Sequence, residues 1–142
     1  MVSFTLEKKF NMPLEQIWSI LSDFTKTPAP DDVKVDVEKE GDPEKHGAGL
    51  VRKTIMGRDK VRQHLTLVEP PHSYTYQIIE HPLINEYQAR VDFKEEEGGT
   101  LVHYQADIQP AVPLTGKIVC AKCKAGVSNY LDAVDKYHCR EQ

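Results

Sequence analysis

The C-terminal part of the chain carries the pattern that most constrains its fold, a long amphipathic stretch from Leu114 to Tyr137. Apolar residues recur there at steps of three and four, which is typical of one side of a helix. These residues are Val119, Cys123, Val127, Tyr130, Val134 and Tyr137. About 24 residues at 1.5 Å per residue make a helix of roughly 36 Å. Such a helix needs a broad apolar surface to cover its stripe, and a single β-hairpin is too small to supply one.

The preceding sequence predicts the strands of that surface. Val2 to Phe10 alternates apolar and polar residues, and six further stretches of this kind follow between Val33 and Pro110. A short helix is predicted over residues 14–21, and residues 22–30, with two prolines, are predicted to form a second short helical turn followed by a loop. Short turns join the later strands, and short turns connect antiparallel neighbours. We therefore expect an α+β fold in the order β-α-α-β6-α, with an antiparallel sheet of about seven strands curled around the long C-terminal helix.

The composition excludes several classes of protein. The 142 residues predict one domain over 1–142. The formal charge is −4 with basic residues scattered along the chain, so nucleic acid is not an expected partner. No apolar run is long enough for a membrane span and the N-terminus lacks the pattern of a signal peptide. We therefore expect a cytoplasmic protein, and three cysteines, an odd number, agree with a reducing compartment. We further expect a monomer or weak dimer.

The inner face of the predicted sheet collects polar-tipped side chains. A single buried tyrosine usually bonds to the backbone, but several are harder to satisfy, because each unpaired buried polar group costs about 1 to 3 kcal/mol. An internal cavity that holds a ligand or water removes this difficulty. Gly126, on the inner side of the helix, indicates either close packing or room for a ligand. The converging residues are Gln63, Tyr76, Tyr87, Tyr104 and Tyr130.

Two strand assignments bear on this face. Alternation places Val61, Gln63, Leu65 and Leu67 on one side of their strand. The strand from Ala48 to Met56 has apolar residues on both sides, so the direction of Arg52 stays open. Arg52 either makes an exposed salt bridge or meets an acidic or carbonyl group of a ligand.

The sequence contains no convincing catalytic or metal-binding motif. Cys120 and Cys123 lie inside the predicted helix, whereas reactive Cys-x-x-Cys pairs begin at a helix N-terminus. His138 and Cys139 lie over about 20 Å farther along the helix, too far to complete a zinc site. No phosphate-binding loop or nucleophile elbow is present. We therefore predict no cofactor, no metal and no catalytic residue.

Six short segments stand in a fixed order along the chain. They are Gly47-Ala48-Gly49-Leu50-Val51-Arg52, Val61-Arg62-Gln63-His64-Leu65, Glu69-Pro70-Pro71, Tyr74-Thr75-Tyr76, Pro82-Leu83, and Gly99-Thr100 through Pro110. This set resembles the polyketide cyclase/dehydrase and lipid transport family, part of the helix-grip superfamily that includes START domains and the major birch pollen allergen. The resemblance implies a cavity between sheet and helix for apolar or amphipathic molecules. Many relatives carry a glutamate where this chain has Gln63, which argues against acid-base chemistry at that position.

Three functions follow as hypotheses. The favoured one is binding or transport of a hydrophobic or aromatic small molecule, lipid-like or polyketide-like, with Leu83 and Ile84 at the cavity rim. The second is a cyclase or dehydratase in which Tyr76, Tyr87 or Tyr104 polarises a carbonyl. The third is a protein-interaction module, like the superfamily members that stimulate a heat-shock chaperone ATPase. The expected ligand-binding residues are Arg52, Gln63, Tyr76, Tyr87, Phe93, Tyr104, Val127 and Tyr130.

Overall fold

A computed structural model of the protein describes residues 2–22, 34–41, 47–56, 59–79 and 81–139. The elements in chain order are β1 (Val2–Phe10), α1 (Leu14–Leu21), β2 (Lys34–Lys39), β3 (Val51–Met56), β4 (Asp59–Glu69), β5 (Ser73–Ile79), β6 (Ile84–Glu96), β7 (Gly99–Pro110) and α2 (Gly116–Cys139). This order confirms the predicted α+β fold. The second short helical turn, predicted within residues 22–30, falls outside the described residues except for Ser22, which follows α1.

The strands form one curved antiparallel sheet in the order β1-β7-β6-β5-β4-β3-β2. Strands that follow one another from β2 to β7 are neighbours, as short turns require. β1 instead pairs with β7, with Val2 opposite Ile108 and Phe10 opposite Thr100. The first two strands therefore lie at opposite edges of the sheet, and α1 belongs to the connection between them.

α1 covers one end of the inner face of the sheet. The Pro13 carbonyl accepts hydrogen bonds from the backbone N–H groups of Gln16 and Ile17, which starts the first turn. Leu14, Ile17 and Leu21 are buried on the helix side that contacts β6 and β7. This stripe encloses the sheet interior at that end.

α2 begins two residues later than the sequence pattern predicted. Leu114 adopts a left-handed backbone conformation with φ of 71°, which a helix cannot continue. The Thr115 hydroxyl donates a hydrogen bond to the Val112 carbonyl at 2.6 Å, and the helix starts at Gly116. From there Val119, Leu131 and Val134 are buried, as on one side of an amphipathic helix.

The long helix lies over one side of the sheet and not over its centre. Its main contacts are with β1 and β7. Lys8 of β1 forms ion pairs with Asp132 at 2.9 Å and Asp135 at 3.4 Å on the helix. The inner faces of β3, β4 and β5 are therefore farther from the helix, and a space remains between them.

A β-bulge in β4 changes which residues face this space. The pairing with β5 shifts between Leu65, which is opposite Tyr76, and Leu67, which is opposite Thr75. A bulge inserts one extra residue and so inverts the alternation that follows it. Leu65 is 1% exposed whereas Leu67 is 46% exposed. The prediction that Leu67 shares the inner face with Leu65 is therefore wrong.

Candidate functional site

A cavity of about 540 Å³ lies between the sheet and α2. Its wall comes from β3 to β7, the segment 81–84 and α2. The volume falls within the range of roughly 300 to 1,000 Å³ that is usual for small-molecule sites. The aliphatic side chains of the wall are Val61, Ile78, Ile79, Leu83, Ile84, Val119 and Val127.

The structure brings most of the expected ligand residues together in this wall. Both expected rim residues lie there too, although Leu83 is 41% exposed and Ile84 only 6%. The wall residues among those expected from the sequence are Arg52, Gln63, Tyr76, Tyr87, Tyr104, Val127 and Tyr130.

Phe93 is the expected ligand residue that does not line the cavity. Its ring packs edge-to-face on Trp18 of α1, with 5.1 Å between centroids, and lies 6.0 Å from the ring of Tyr74. α1 therefore covers Phe93 with other aromatic rings. Tyr74 lines the cavity instead. It lies two residues before Tyr76 in the same strand, and this spacing already indicated that both side chains lie on the inner face.

Arg52 points inward, because the turn before β3 determines which residues of this strand lie on the inner face of the sheet. Gly49 has a φ of 93°, and its N–H donates to the Leu65 carbonyl at 2.7 Å. The Leu65 N–H in turn donates to the Leu50 carbonyl at 2.9 Å, and Leu50 is fully buried. Arg52, two residues farther on, lies on the same face and is 5% exposed. The alternative of an exposed Arg52 salt bridge is therefore wrong.

Arg52 and Gln63 form the polar centre of the wall. They face each other in the pairing of β3 with β4. The Arg52 Nε–H donates to Gln63 Oε1 at 2.8 Å, and the Thr54 hydroxyl donates to the same oxygen at 3.3 Å. The hydroxyl of Tyr130 on α2 also hydrogen bonds with Arg52, and this contact joins the helix to the far side of the sheet.

Three tyrosines form a chain of hydroxyl contacts beside this centre. The Tyr76 hydroxyl is hydrogen bonded to the Tyr104 hydroxyl and also interacts with that of Tyr87. The Tyr76 ring stacks on Tyr87 at 6.0 Å and meets Tyr104 edge-on at 6.1 Å. Alternation along β5, β6 and β7 places all three on the inner face.

Burial keeps these phenols protonated. It raises the pKa of Tyr76, and it raises the pKa values of Tyr74, Tyr87 and Tyr104 well above the ordinary value of 10.0. Burial also raises the pKa of Tyr130, while the nearby Arg52 acts in the opposite direction. At neutral pH these groups therefore act as neutral hydrogen-bond donors, and proton abstraction by them is unfavourable.

The α2 side of the wall contains residues that sequence reasoning did not assign to ligand contact. Lys122, Cys123, Gly126 and Asn129 line the cavity at helical spacing. A Cβ added to Gly126 would meet no atom within 4 Å, which excludes the close-packing explanation for this glycine. Cys123 is a free thiol whose pKa burial raises to about 11, so it is a poor nucleophile at neutral pH.

The described part of the chain holds no cluster of three or more His, Cys, Asp or Glu side chains placed to bind a metal ion. None of the helices in the same residues is long and apolar enough to cross a membrane.

Comparison with solved structures shows the same fold in several proteins. XoxI from Bacillus cereus is 20% identical with a TM-score of 0.77, covering 100% of this chain and 99% of that one. A START superfamily protein from Mycobacterium smegmatis is 13% identical with a TM-score of 0.75, covering 94% of each chain. Ara h 8.0201 is 14% identical with a TM-score of 0.75, covering 96% of each chain. These identities establish similarity of fold alone.

Comparison with curated proteins finds no match. A family model described as polyketide cyclase/dehydrase and lipid transport matches residues 1–138. The chain is therefore a member of the polyketide cyclase/dehydrase and lipid transport family.

Proposed function

We propose that the protein binds or carries a hydrophobic or aromatic small molecule in the cavity between the sheet and α2. The observation that carries this proposal is the cavity itself, about 540 Å³ with aliphatic, aromatic and polar side chains in its wall. This combination is typical of sites in which apolar contacts supply affinity and polar groups fix orientation. The family and the fold are compatible with such a role.

The energy of binding would come mainly from apolar burial. Covering about 250 Å² of apolar ligand surface stabilises a complex by roughly 6 kcal/mol before the entropy of association is subtracted. The aromatic rings of Tyr76, Tyr87 and Tyr104 offer flat contact surfaces as well as hydroxyl groups. A flat or elongated apolar molecule with one polar end fits this wall best.

The hydroxyl chain of Tyr87, Tyr76 and Tyr104 favours one second candidate, a cyclase or dehydratase acting on a polyketide-like substrate. Neutral phenols can donate hydrogen bonds to an oxygen that gains negative charge during enolisation. The described wall residues include no Asp or Glu to act as a general base. Turnover of a poly-β-ketone that is lost in Tyr76→Phe would favour this candidate over binding alone.

Native mass spectrometry of the freshly purified protein tests the favoured function. We expect a bound species that adds mass to the folded protein and disappears when the protein is denatured. After removal of this species, incubation with apolar acids or aromatic compounds should restore an adduct of one molecule per chain. A protein that carries no adduct and gains none from such compounds would overturn the proposal.

A further inference from the structure

The charge of the cavity wall differs from that of the whole chain. The chain has a formal charge of −4, yet among the wall residues that the structure describes none is Asp or Glu. The Lys and Arg side chains of these residues therefore give an anionic group in the cavity a positive charge to meet and no carboxylate to repel it. The five cationic residues of the described wall are Arg52, Lys53, Lys60, Arg62 and Lys122.

Arg52 differs from the other cations in its burial. Lys60 and Lys122 are exposed, and the Arg62 guanidinium donates to both Glu38 carboxylate oxygens, at 2.8 and 2.9 Å. Arg52 is 5% exposed and lines the cavity from near the start of β3. A charge held in such an environment interacts more strongly with a ligand than a solvated surface charge does.

The neighbours of Arg52 orient its guanidinium. Gln63 accepts from Nε, and Tyr130 contacts the group from the helix. Both of these partners are neutral groups. An arginine fork matches the two oxygens of a carboxylate in shape, and such charge-assisted bonds are about twice as strong as neutral ones. Gln63 and Tyr130 thus orient the guanidinium at the cavity wall, and neither of these two contacts neutralises its charge.

Hydroxyl donors and apolar side chains both lie near this group. Tyr74, Tyr76 and Tyr130 are close enough to Arg52 for their ionisation to depend on its charge. Ile78 lies opposite Gln63 in the pairing of β4 with β5 and also lines the cavity. An acidic head group at Arg52 would therefore contact phenol donors, while its apolar body contacts the aliphatic wall.

We propose that the ligand is an amphipathic carboxylic acid, and that Arg52, oriented by Gln63, binds its carboxylate inside the cavity. This inference rests on the proposed binding function and adds the chemical class of the ligand. It assigns charge recognition to Arg52, and apolar affinity to Ile78 and the other aliphatic wall residues.

Three ligands with the same ten-carbon chain test the inference on the wild-type protein: decanoate, 1-decanol and decyltrimethylammonium. The affinity of each is measured by its displacement of the neutral fluorophore N-phenyl-1-naphthylamine from the cavity. We expect decanoate to bind about tenfold to a hundredfold more tightly than decanol, and the cation to bind most weakly. Equal or tighter binding of decanol or of the cation would overturn the inference. Failure of the neutral fluorophore to bind would instead count against the proposed function.

A pair of arginine variants assigns the effect to one residue. Arg52→Met should reduce decanoate affinity about tenfold to a hundredfold and change decanol affinity less than about threefold. Arg90→Met is the matched control, because Arg90 is exposed, pairs with Asp92 at 3.0 Å and lies outside the cavity wall. An Arg52→Met protein that folds and keeps its decanoate affinity would refute the assignment. If that variant does not fold, the comparison of the three ligands on the wild type decides the inference.

Discussion

Arg52 and Gln63 lie opposite each other on β3 and β4, and the Arg52 Nε–H donates a hydrogen bond to Gln63 Oε1 at 2.8 Å. The partner side chain is a neutral amide. An amide fixes the direction of the guanidinium without adding a negative charge to the cavity wall. We therefore expect the residue at position 63 to influence which ligands the cavity accepts.

Gln63→Glu should weaken the binding of acids. The new carboxylate would pair with Arg52 and repel an anionic ligand, so we expect decanoate affinity to fall at least about tenfold. Binding of N-phenyl-1-naphthylamine, which is neutral, should change less than about threefold. Fluorescence titration measures both values. Gln88→Glu, at an exposed position of β6, is the control, and unchanged decanoate affinity in Gln63→Glu would contradict the role given to Arg52.

Gly126→Ala should stabilise the protein. The added Cβ meets no atom within 4 Å, so the helix gains the propensity of alanine without a clash. We expect the free energy of unfolding to rise by about 0.5 to 1 kcal/mol. Urea denaturation followed by circular dichroism gives this value. The exposed neighbour supplies the control, since Ala125→Gly should lower stability by a similar amount, and a destabilised Gly126→Ala would indicate that the space is not open.

Stability should fall steeply at alkaline pH. Burial raises the pKa values of Tyr74, Tyr76, Tyr87, Tyr104 and Tyr130. Above about pH 10 the unfolded chain releases these protons while the folded chain retains them, so deprotonation favours unfolding. The stabilisation is complete below this pH and is lost as the pH rises toward the folded-state pKa values.

Ultraviolet absorbance of tyrosinate, recorded together with far-ultraviolet circular dichroism, tests this prediction. We expect the absorbance of the buried tyrosines to rise in one step with the loss of secondary structure. Gradual titration of all tyrosines near pH 10, with the circular dichroism unchanged, would mean that the phenols are in contact with solvent.

Much of the fold could be predicted from local patterns, because strand alternation and helical spacing involve residues that are close together in the sequence. The bulge in β4 could not be predicted in this way, since it depends on how Leu65 and Leu67 pair with β5. The direction of Arg52 depended on Gly49, whose backbone bonds to the distant Leu65. The wrong position of Leu67 and the open direction of Arg52 both concern strand phase, which tertiary pairing sets.

The sequence predicted which residues lie on the inner side of the sheet, but not which of them line the cavity. Alternation places Phe93 and Tyr87 on the same side of β6, yet α1 covers Phe93 while Tyr87 remains in the cavity wall. The size of the cavity depends on where α2 lies across the sheet. Contacts such as that between Lys8 and Asp132, far apart in the chain, accompany this placement and leave no local pattern.

Titration of N-phenyl-1-naphthylamine into the wild type, Gly126→Phe and Ala125→Phe tests the cavity most directly. A benzyl group at Gly126 would occupy the space that the ligand needs, whereas Ala125 is exposed on the outer side of α2. The account predicts saturable binding of one fluorophore to the wild type and to Ala125→Phe, and affinity at least about tenfold weaker for Gly126→Phe. Equal affinity of all three proteins, or no saturable binding to the wild type, would contradict it.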